Sequence, residues 1–138
     1  MPQPNTEEIL AAAAAGDSLA NVEIRGQDLS AAALAAVDLR GATLVDVDLS
    51  GADLSGAQFQ GANLTDVKLG RAKLAGADFA DADLQRCKLG ETAWQGVGIL
   101  GTDFRACAFP GADLSQLDLS GRTLGGSDLT AAKLRETS

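Results

Sequence analysis

The chain has 138 residues, and leucine and alanine dominate its apolar content, with four Phe, one Trp and no Tyr. This length suffices for one domain with a sizeable core. The net charge of −8 disfavours direct binding of nucleic acid, which needs cationic contacts with phosphates. No histidine is present, and the two cysteines, Cys87 and Cys107, are too few for a disulfide framework or a zinc site.

Residues 1–16 predict a short helix that caps the N-terminal end of the domain. Asn5 precedes a run of helix formers, and Glu8 follows three residues later, as in a capping box. We expect the helix to run to about Ala15 and to end at Gly16. The charges before this apolar run are acidic, which excludes a signal peptide. Since no stretch reaches the roughly 18 apolar residues of a membrane span, we expect a cytoplasmic protein with no membrane span.

A five-residue repeat occupies residues 17–136. From Leu19 to Leu134 every fifth residue is large and apolar, giving 24 pentads without an insertion or deletion. We number the positions of each pentad one to five, so that the large residue is third. The first position is mostly small, with ten Ala and five Val, the second is mostly polar, and the fifth is Gly in eleven pentads.

This pattern predicts one short side and one corner per pentad. The alternation of small, polar and large residues points the first and third side chains to one face of an extended segment. The Gly-rich pair that follows supplies the backbone conformations that turns require. A period of five fits neither a helix nor a long strand, so the chain turns after every short side.

The repeats resemble the pentapeptide-repeat family, whose motif is A(D/N)LXX. The runs that carry the resemblance are GADLSGAQFQGANLTDV at Gly51–Val67 and GADLSQLDLSG at Gly111–Gly121, and the repeat extends over Asp17–Glu136. The resemblance implies an all-β fold, a right-handed quadrilateral parallel β-helix, which is a solenoid with four pentads per coil. The 24 pentads then make about six coils, and residues 137–138 form a tail.

Four sides give four ladders of third-position residues, which begin at Leu19, Ile24, Leu29 and Leu34 and define sides one to four. At the C-terminal end no cap is evident, and the last coil would expose its large residues. Each leucine is worth roughly 1.5–3 kcal/mol when buried, so we predict that a second copy, a partner protein or further residues cover this end. The end interface consists of Leu119, Leu124, Leu129 and Leu134.

Three residues are too large for the first position: Gln27, Leu117 and Arg122. Our interpretation is that Gln27 and Arg122 mark irregular coils at the two ends of the repeat. The alternative is that a charged residue at this position contacts a partner at an end interface.

Trp94 is the largest third-position residue. It indicates either a bulged coil that accommodates the indole, or an apolar recognition patch with Val97 and Leu100. Cys87 and Cys107 occupy the same position in successive coils on side three, where we expect two stacked free thiols.

The sequence contains no catalytic, cofactor-binding or metal-binding motif, so we expect a non-enzymatic protein without a cofactor. Flat faces with periodic side chains are typical of extended binding surfaces, which favours a protein–protein interaction or scaffold module. The resemblance implies an alternative, since some pentapeptide-repeat proteins mimic DNA and bind type II topoisomerases such as DNA gyrase.

Side one is the most acidic face and is the predicted interaction face. Its candidate residues are Asp38, Asp78, Asp81 and Asp118. Side three offers a small basic counterpart in Lys68, Arg71 and Lys88. Each single charge is also explained by solvation of the rod.

Overall fold

The computed structural model describes residues 3–138, which form a helix followed by a parallel β-helix. The elements are α1 (Thr6–Ala15), β1 (Glu23–Arg25), β2 (Thr43–Val45), β3 (Asn63–Thr65), β4 (Asp83–Gln85) and β5 (Asp103–Arg105). The five strands all lie on side two and pair in parallel in chain order. Ile24 pairs with Leu44, which occupies the same position four pentads later, so each coil consists of four pentads. The predicted right-handed quadrilateral parallel β-helix is confirmed.

The other three sides are too short for regular strands and pair through single bridges. Asp38 pairs with Gln58 on side one and Asp28 with Asp48 on side three. The coil count differs slightly from the expectation of about six: among residues 3–138 five coils carry a strand, and the last coil joins β5 through an isolated bridge at Thr123.

Residues 137–138 also differ from the expected tail. The N–H of Ser138 donates to the carbonyl of Leu117 at 3.0 Å, and its carbonyl accepts from Leu119 at 2.9 Å. These two residues therefore continue the β-helix on side one, because the backbone of coil 6 offers them ladder hydrogen bonds.

Every corner residue has a left-handed backbone. All 24 fifth-position residues, eleven Gly and thirteen others, have φ between 53° and 76°. A hydrogen bond of 3.1 Å from Ala32 N–H to the Leu29 carbonyl closes one such turn. This geometry is that of a β-turn with φ > 0 at its third residue, which Gly adopts without steric cost. For a residue other than glycine, such as Ala31, the left-handed conformation costs about 1–2 kcal/mol of folding free energy. The hydrogen bonds of the surrounding ladder must offset this cost.

The first- and third-position side chains fill the interior. Every third-position residue from Leu19 to Leu114 is buried. All five aromatic residues form one cluster in coils 3 to 5, where Phe59 and Phe79 stack at 4.7 Å between ring centroids. Trp94 lies 5.6 Å from Phe104 and 6.2 Å from Phe109. The interior therefore changes from aliphatic to aromatic along the rod.

Trp94 is 1% exposed, which rules out its part in an apolar recognition patch. Its indole N–H donates to the hydroxyl of Thr92 at 2.7 Å, so the buried donor has a partner. The predicted bulge is also absent, because Ala93 still pairs with Asp113, its regular partner in the next coil. No residue is inserted around the indole.

Among residues 3–138 the backbone ladder nevertheless lacks both the bridge and its hydrogen bonds at two places. On side four the bridge that would join Lys73 to Ala93 is missing, immediately before Trp94. On side one the bridge that would join Gly98 to Asp118 is missing, although Gly98 pairs normally with Asp78. The first opening adjoins the largest side chain, so we attribute it to the indole volume holding coils 3 and 4 apart.

The capping box at the start of α1 is confirmed. Asn5 Oδ1 accepts from the N–H of Glu8 at 2.8 Å, and Glu8 Oε1 accepts from the N–H of Asn5 at 3.3 Å. Ile9 is buried against the first coil. Gln27 is not an irregular residue, because its Oε1 accepts from both the N–H and the hydroxyl of Thr6 at 2.9 Å. Its long side chain thus ties coil 1 to the first turn of α1.

Candidate interaction surface

The outward aspartates have a local structural role. In nine pentads the second-position side chain accepts a hydrogen bond from the backbone N–H at the fourth position. That N–H faces outward, and the ladder provides no carbonyl for it. Asp48 accepts from the N–H of Ser50 at 2.9 Å in this way. The preference for Asp at the second position is therefore explained by an unsatisfied backbone donor.

Three of the four predicted residues of side one share a column. Asp38, Asp78 and Asp118 occupy second positions on side one, with Gln58 and Gly98 between them. They are two coils apart, or about 9.6 Å. Asp81 does not belong to this column, since it is the corner residue after Phe79, with φ 59°. The acidic stripe is therefore interrupted.

Asp38 is the most strongly neutralised of the four. Its carboxylate accepts from Arg40 at 2.8 and 2.9 Å and from the hydroxyl of Ser18 at 2.6 Å. These hydrogen bonds, with that from Arg40 the largest cause, lower the pKa of Asp38 well below its ordinary value. The charge of Asp38 is therefore balanced within its own face, and the free negative charge of side one lies further along the rod.

The C-terminal half of side one combines an exposed leucine with carboxylates that make no ion pair among the described residues. Leu100 is 79% exposed, the most exposed large hydrophobic residue among those the structure describes. The carboxylates of Asp78 and Asp81 lie over Gly98 and Gly101, where a side chain on either glycine would collide with them. Since Leu100 lies between these two glycines, two carboxylates flank it. We call Leu100, Asp78, Asp81 and Asp118 the Leu100 surface.

A cleft of about 370 Å³ adjoins Leu100 at the opening between coils 5 and 6. Leu117, Asp118 and Arg122 line it. The Arg122 guanidinium donates to the carbonyls of Ile99 at 3.0 Å and Ser120 at 3.2 Å. Hydrogen bonds from Ser120 lower the pKa of Asp118, which remains ionised. The sequence indicates Leu100 as part of one alternative, an apolar recognition patch, but it contains no signal for the cleft.

The C-terminal end is only partly covered. Leu119, Leu124 and Leu129 are half-buried and pack on the core, whereas Leu134 is 46% exposed. Thr137 contributes to the cover, since its hydroxyl donates to the carbonyl of Leu114 at 2.9 Å.

The two cysteines stack inside side three as free thiols. The thiol of Cys87 donates to the carbonyl of Leu64 at 3.4 Å, and that of Cys107 to Leu84 at the same distance. A hydrogen bond with Cys107, together with burial, raises the pKa of Cys87, so this thiol is protonated at neutral pH. Both side chains therefore act as small core residues.

Residues 3–138 contain no group of three or more acidic, Cys or His side chains able to hold a metal ion. Within the same residues, no helix is both long and apolar enough to cross a membrane.

A coil of four pentads, one large inward residue per side and a left-handed corner after each side define a parallel β-solenoid. The family model for pentapeptide repeats matches eight copies, at residues 28–69, 62–92 and 100–136. The chain therefore belongs to the pentapeptide-repeat family. No curated protein sequence matches it significantly.

Several solved structures are similar in fold. HetL, a pentapeptide repeat protein involved in heterocyst differentiation regulation from the cyanobacterium Nostoc sp. strain PCC 7120, is 23% identical with a TM-score of 0.40; the match covers 99% of this chain and 95% of HetL. A pentapeptide repeat protein from the Arabidopsis thaliana thylakoid lumen is 28% identical with a TM-score of 0.46, over 67% and 65% of the two chains.

Full-length QnrB1, a plasmid-mediated fluoroquinolone resistance protein, is 18% identical with a TM-score of 0.30, over 89% of this chain and 84% of QnrB1. The TM-scores of these three structures all lie below 0.5, so no function is transferred from them.

Proposed function

We propose that this chain is a non-catalytic protein-interaction module that binds a partner protein through the Leu100 surface. The observation that carries the proposal is the exposure of Leu100 between the carboxylates of Asp78 and Asp81. An exposed apolar side chain with a charged rim is the usual composition of a small binding site for protein.

The negative charge of the Leu100 surface favours a partner with a basic binding site. Asp78, Asp81 and Asp118 make no ion pair within residues 3–138, whereas Asp38 is paired with Arg40. A complementary partner presents an apolar side chain beside lysine or arginine, because opposite potentials accelerate encounter and set the orientation of binding. The cleft next to Leu100 offers room for one side chain of that partner.

The test is capture from a lysate of the source cell on immobilised protein. The variant Asp78→Lys with Asp118→Lys reverses two charges of the Leu100 surface, and Leu100→Ser removes its apolar centre. The matched control is Asp53→Lys with Asp113→Lys on side four, because these aspartates also accept a fourth-position N–H, from Ser55 and Ser115 at 3.0 Å.

We expect the wild type and the side-four control to retain the same protein, and both variants of the Leu100 surface to lose it. Equal retention by all four proteins would overturn the assignment of this surface. Retention of a type II topoisomerase such as gyrase, with the same loss, would instead support the DNA-mimic alternative.

We also propose that the C-terminal end is a second contact, covered by a second copy of the chain. The exposure of Leu134 supports it. Leu134→Lys should shift the protein from dimer to monomer in light scattering, whereas Leu10→Lys on the outer side of α1 should not. A monomeric wild type at high concentration would exclude the dimer.

A further inference from the structure

A groove of about 480 Å³ runs along side three, parallel to the axis of the rod. Gly70 and Gly90, at the fourth positions of coils 3 and 4, form its floor. Lys68 and Lys88 line one flank, and Pro110 of coil 5 lies at one end. The absence of side chains on the two glycines makes this part of an otherwise flat face concave.

The backbone N–H groups of Gly70 and Gly90 lack the aspartate acceptor that other pentads provide. On side three, Asp48 and Asp128 accept the N–H groups of Ser50 and Thr130 at 2.9 Å. In coils 3 and 4 the second position is lysine, which has no acceptor atom. Among residues 3–138 no group accepts a hydrogen bond from the N–H of Gly70 or Gly90. Coil 5 has Pro110 at this position, and proline has no N–H to satisfy.

The lysines add two positive charges beside these donors. Lys68 and Lys88 are partners in one parallel bridge, about 4.8 Å apart along the rod. Like charges directly opposite each other in a ladder are destabilising. Within the described chain neither lysine makes an ion pair, whereas Arg71 on the other flank is paired with Glu91 at 2.7 Å.

We propose that this groove binds a dianionic oxyanion, the phosphate group of a small molecule. The chain itself shows the chemistry, because in coils 2 and 6 of the same side a carboxylate oxygen accepts the corresponding N–H. A phosphate would accept from the N–H groups of Gly70 and Gly90 and balance both ammonium groups. Backbone N–H groups that converge in a concavity, together with lysine, are a recurrent phosphate site.

Side two provides an internal comparison. The fourth-position residues Thr65 and Gln85 lie within β3 and β4, where they pair with Val45 and Thr65 of the preceding coils, so their N–H groups belong to the backbone ladder. Each of them also carries a side chain, and Asp83 and Asp103 place negative charge on this side. Unpaired fourth-position donors beside glycine and lysine are therefore a feature of side three and not of side two.

The first test is a titration of the full chain followed by amide ¹H–¹⁵N spectra at pH 7.5 and constant ionic strength. The probes are methyl phosphate, inorganic phosphate, sulfate and acetate. We expect the three dianions to shift the amide signals of Gly70 and Gly90 but not those of Thr65 and Gln85. We expect acetate to bind at least about tenfold more weakly, because it balances only one ammonium charge. Equal affinity for acetate would overturn the dianion assignment, and unshifted glycine signals would overturn the site.

The second test restores the carboxylate of the chain. Lys68→Asp should fold normally, since Asp48 has the same role one coil earlier, and should weaken phosphate binding about tenfold or more by removing a charge and occupying the Gly70 N–H. Lys73→Asp on side four makes the same change of charge outside the groove and should bind within about twofold of wild type. Similar losses in both variants would mean that phosphate responds to net charge alone, and the proposal would fail. The outcome is independent of the Leu100 surface.

Discussion

Coils 1 and 2 and coils 3 to 5 fill the same interior with different side chains. In the first two coils the third positions are all leucine or isoleucine, and hydrogen bonds or bridges join the coils on all four sides. In coils 3 to 5 five aromatic rings share the interior, and the two openings of the ladder lie beside or just after Trp94. The backbone ladder sets a spacing of about 4.8 Å, and leucine fits that spacing more closely than indole does.

The largest effect that tests this comparison is the loss of the indole. Trp94→Ala should lower the free energy of unfolding by about 3–5 kcal/mol, because a fully buried aromatic side chain leaves a cavity. Leu34→Ala, at the corresponding place in coil 1, should cost less, because a smaller side chain is removed. Urea unfolding followed by circular dichroism measures both. A greater loss for Leu34→Ala would contradict the view that the aromatic cluster dominates the core.

A milder change at the same residue sharpens the comparison. Trp94→Leu should let coils 3 and 4 approach and restore the ladder between Leu74 and Ala93. The Leu74 amide should then exchange with solvent more slowly than in the wild type, while that of Leu54 should stay unchanged. Unaltered exchange at Leu74 would show that the indole does not cause the opening.

The next effect concerns the capped end. Ile9→Ala should lower the free energy of unfolding by about 2–3 kcal/mol. This loss is at the lower end of the range for truncating a buried isoleucine, because a cavity at the end of the rod can collapse more easily than one in the middle. The loss should appear in hydrogen exchange of coil 1 and not in coil 5. Equal acceleration in both coils would indicate that the rod unfolds as one unit.

Acid should destabilise both halves of the rod alike. Hydrogen bonds lower the pKa of eight carboxyl groups: Asp28, Asp38, Asp53, Asp66, Glu91, Asp113, Asp118 and Asp128. For aspartate the ordinary value is 3.8. A depressed pKa contributes stability above the unfolded value that is lost as the pH falls. The melting temperature should therefore be steady from pH 7 to about 5 and decrease below about pH 4; an increase there would contradict the carboxylate roles.

The smallest effect is that of the helix cap. Asn5→Ala removes the acceptor for the Glu8 N–H and should cost about 1 kcal/mol. Asn5→Ser retains an acceptor and should remain close to wild type in thermal unfolding. A loss in Asn5→Ser as large as in Asn5→Ala would mean that the capping bond contributes little.

Much of this architecture could be predicted from the sequence, because the pentad determines which side chains face inward. The ladder from Leu19 to Leu114 and the capping box follow from local patterns. The anchoring role of Gln27 could not be predicted, since it depends on how α1 docks over coil 1. The opening at Trp94 required the comparison of side-chain volume with coil spacing in three dimensions.

The candidate surfaces were predicted less well, for a related reason. Counting charges by side identified Asp38 with the others, although Arg40 neutralises it. The same count grouped Lys68 and Lys88 as a basic patch but contained no information about the N–H groups beside them. In the structure, second-position aspartates accept the N–H of the fourth position. Only this observation identifies the N–H groups of Gly70 and Gly90 as unpaired.

That role of the second-position aspartate bears on how such a rod changes over generations. Because this outward residue accepts a backbone N–H, replacing aspartate with lysine frees that N–H and places a positive charge beside it. The interior that maintains the fold is unaffected. Eight aspartates along the rod have this role, so many surface chemistries are possible on an unchanged interior. The same substitution can be used in laboratory evolution.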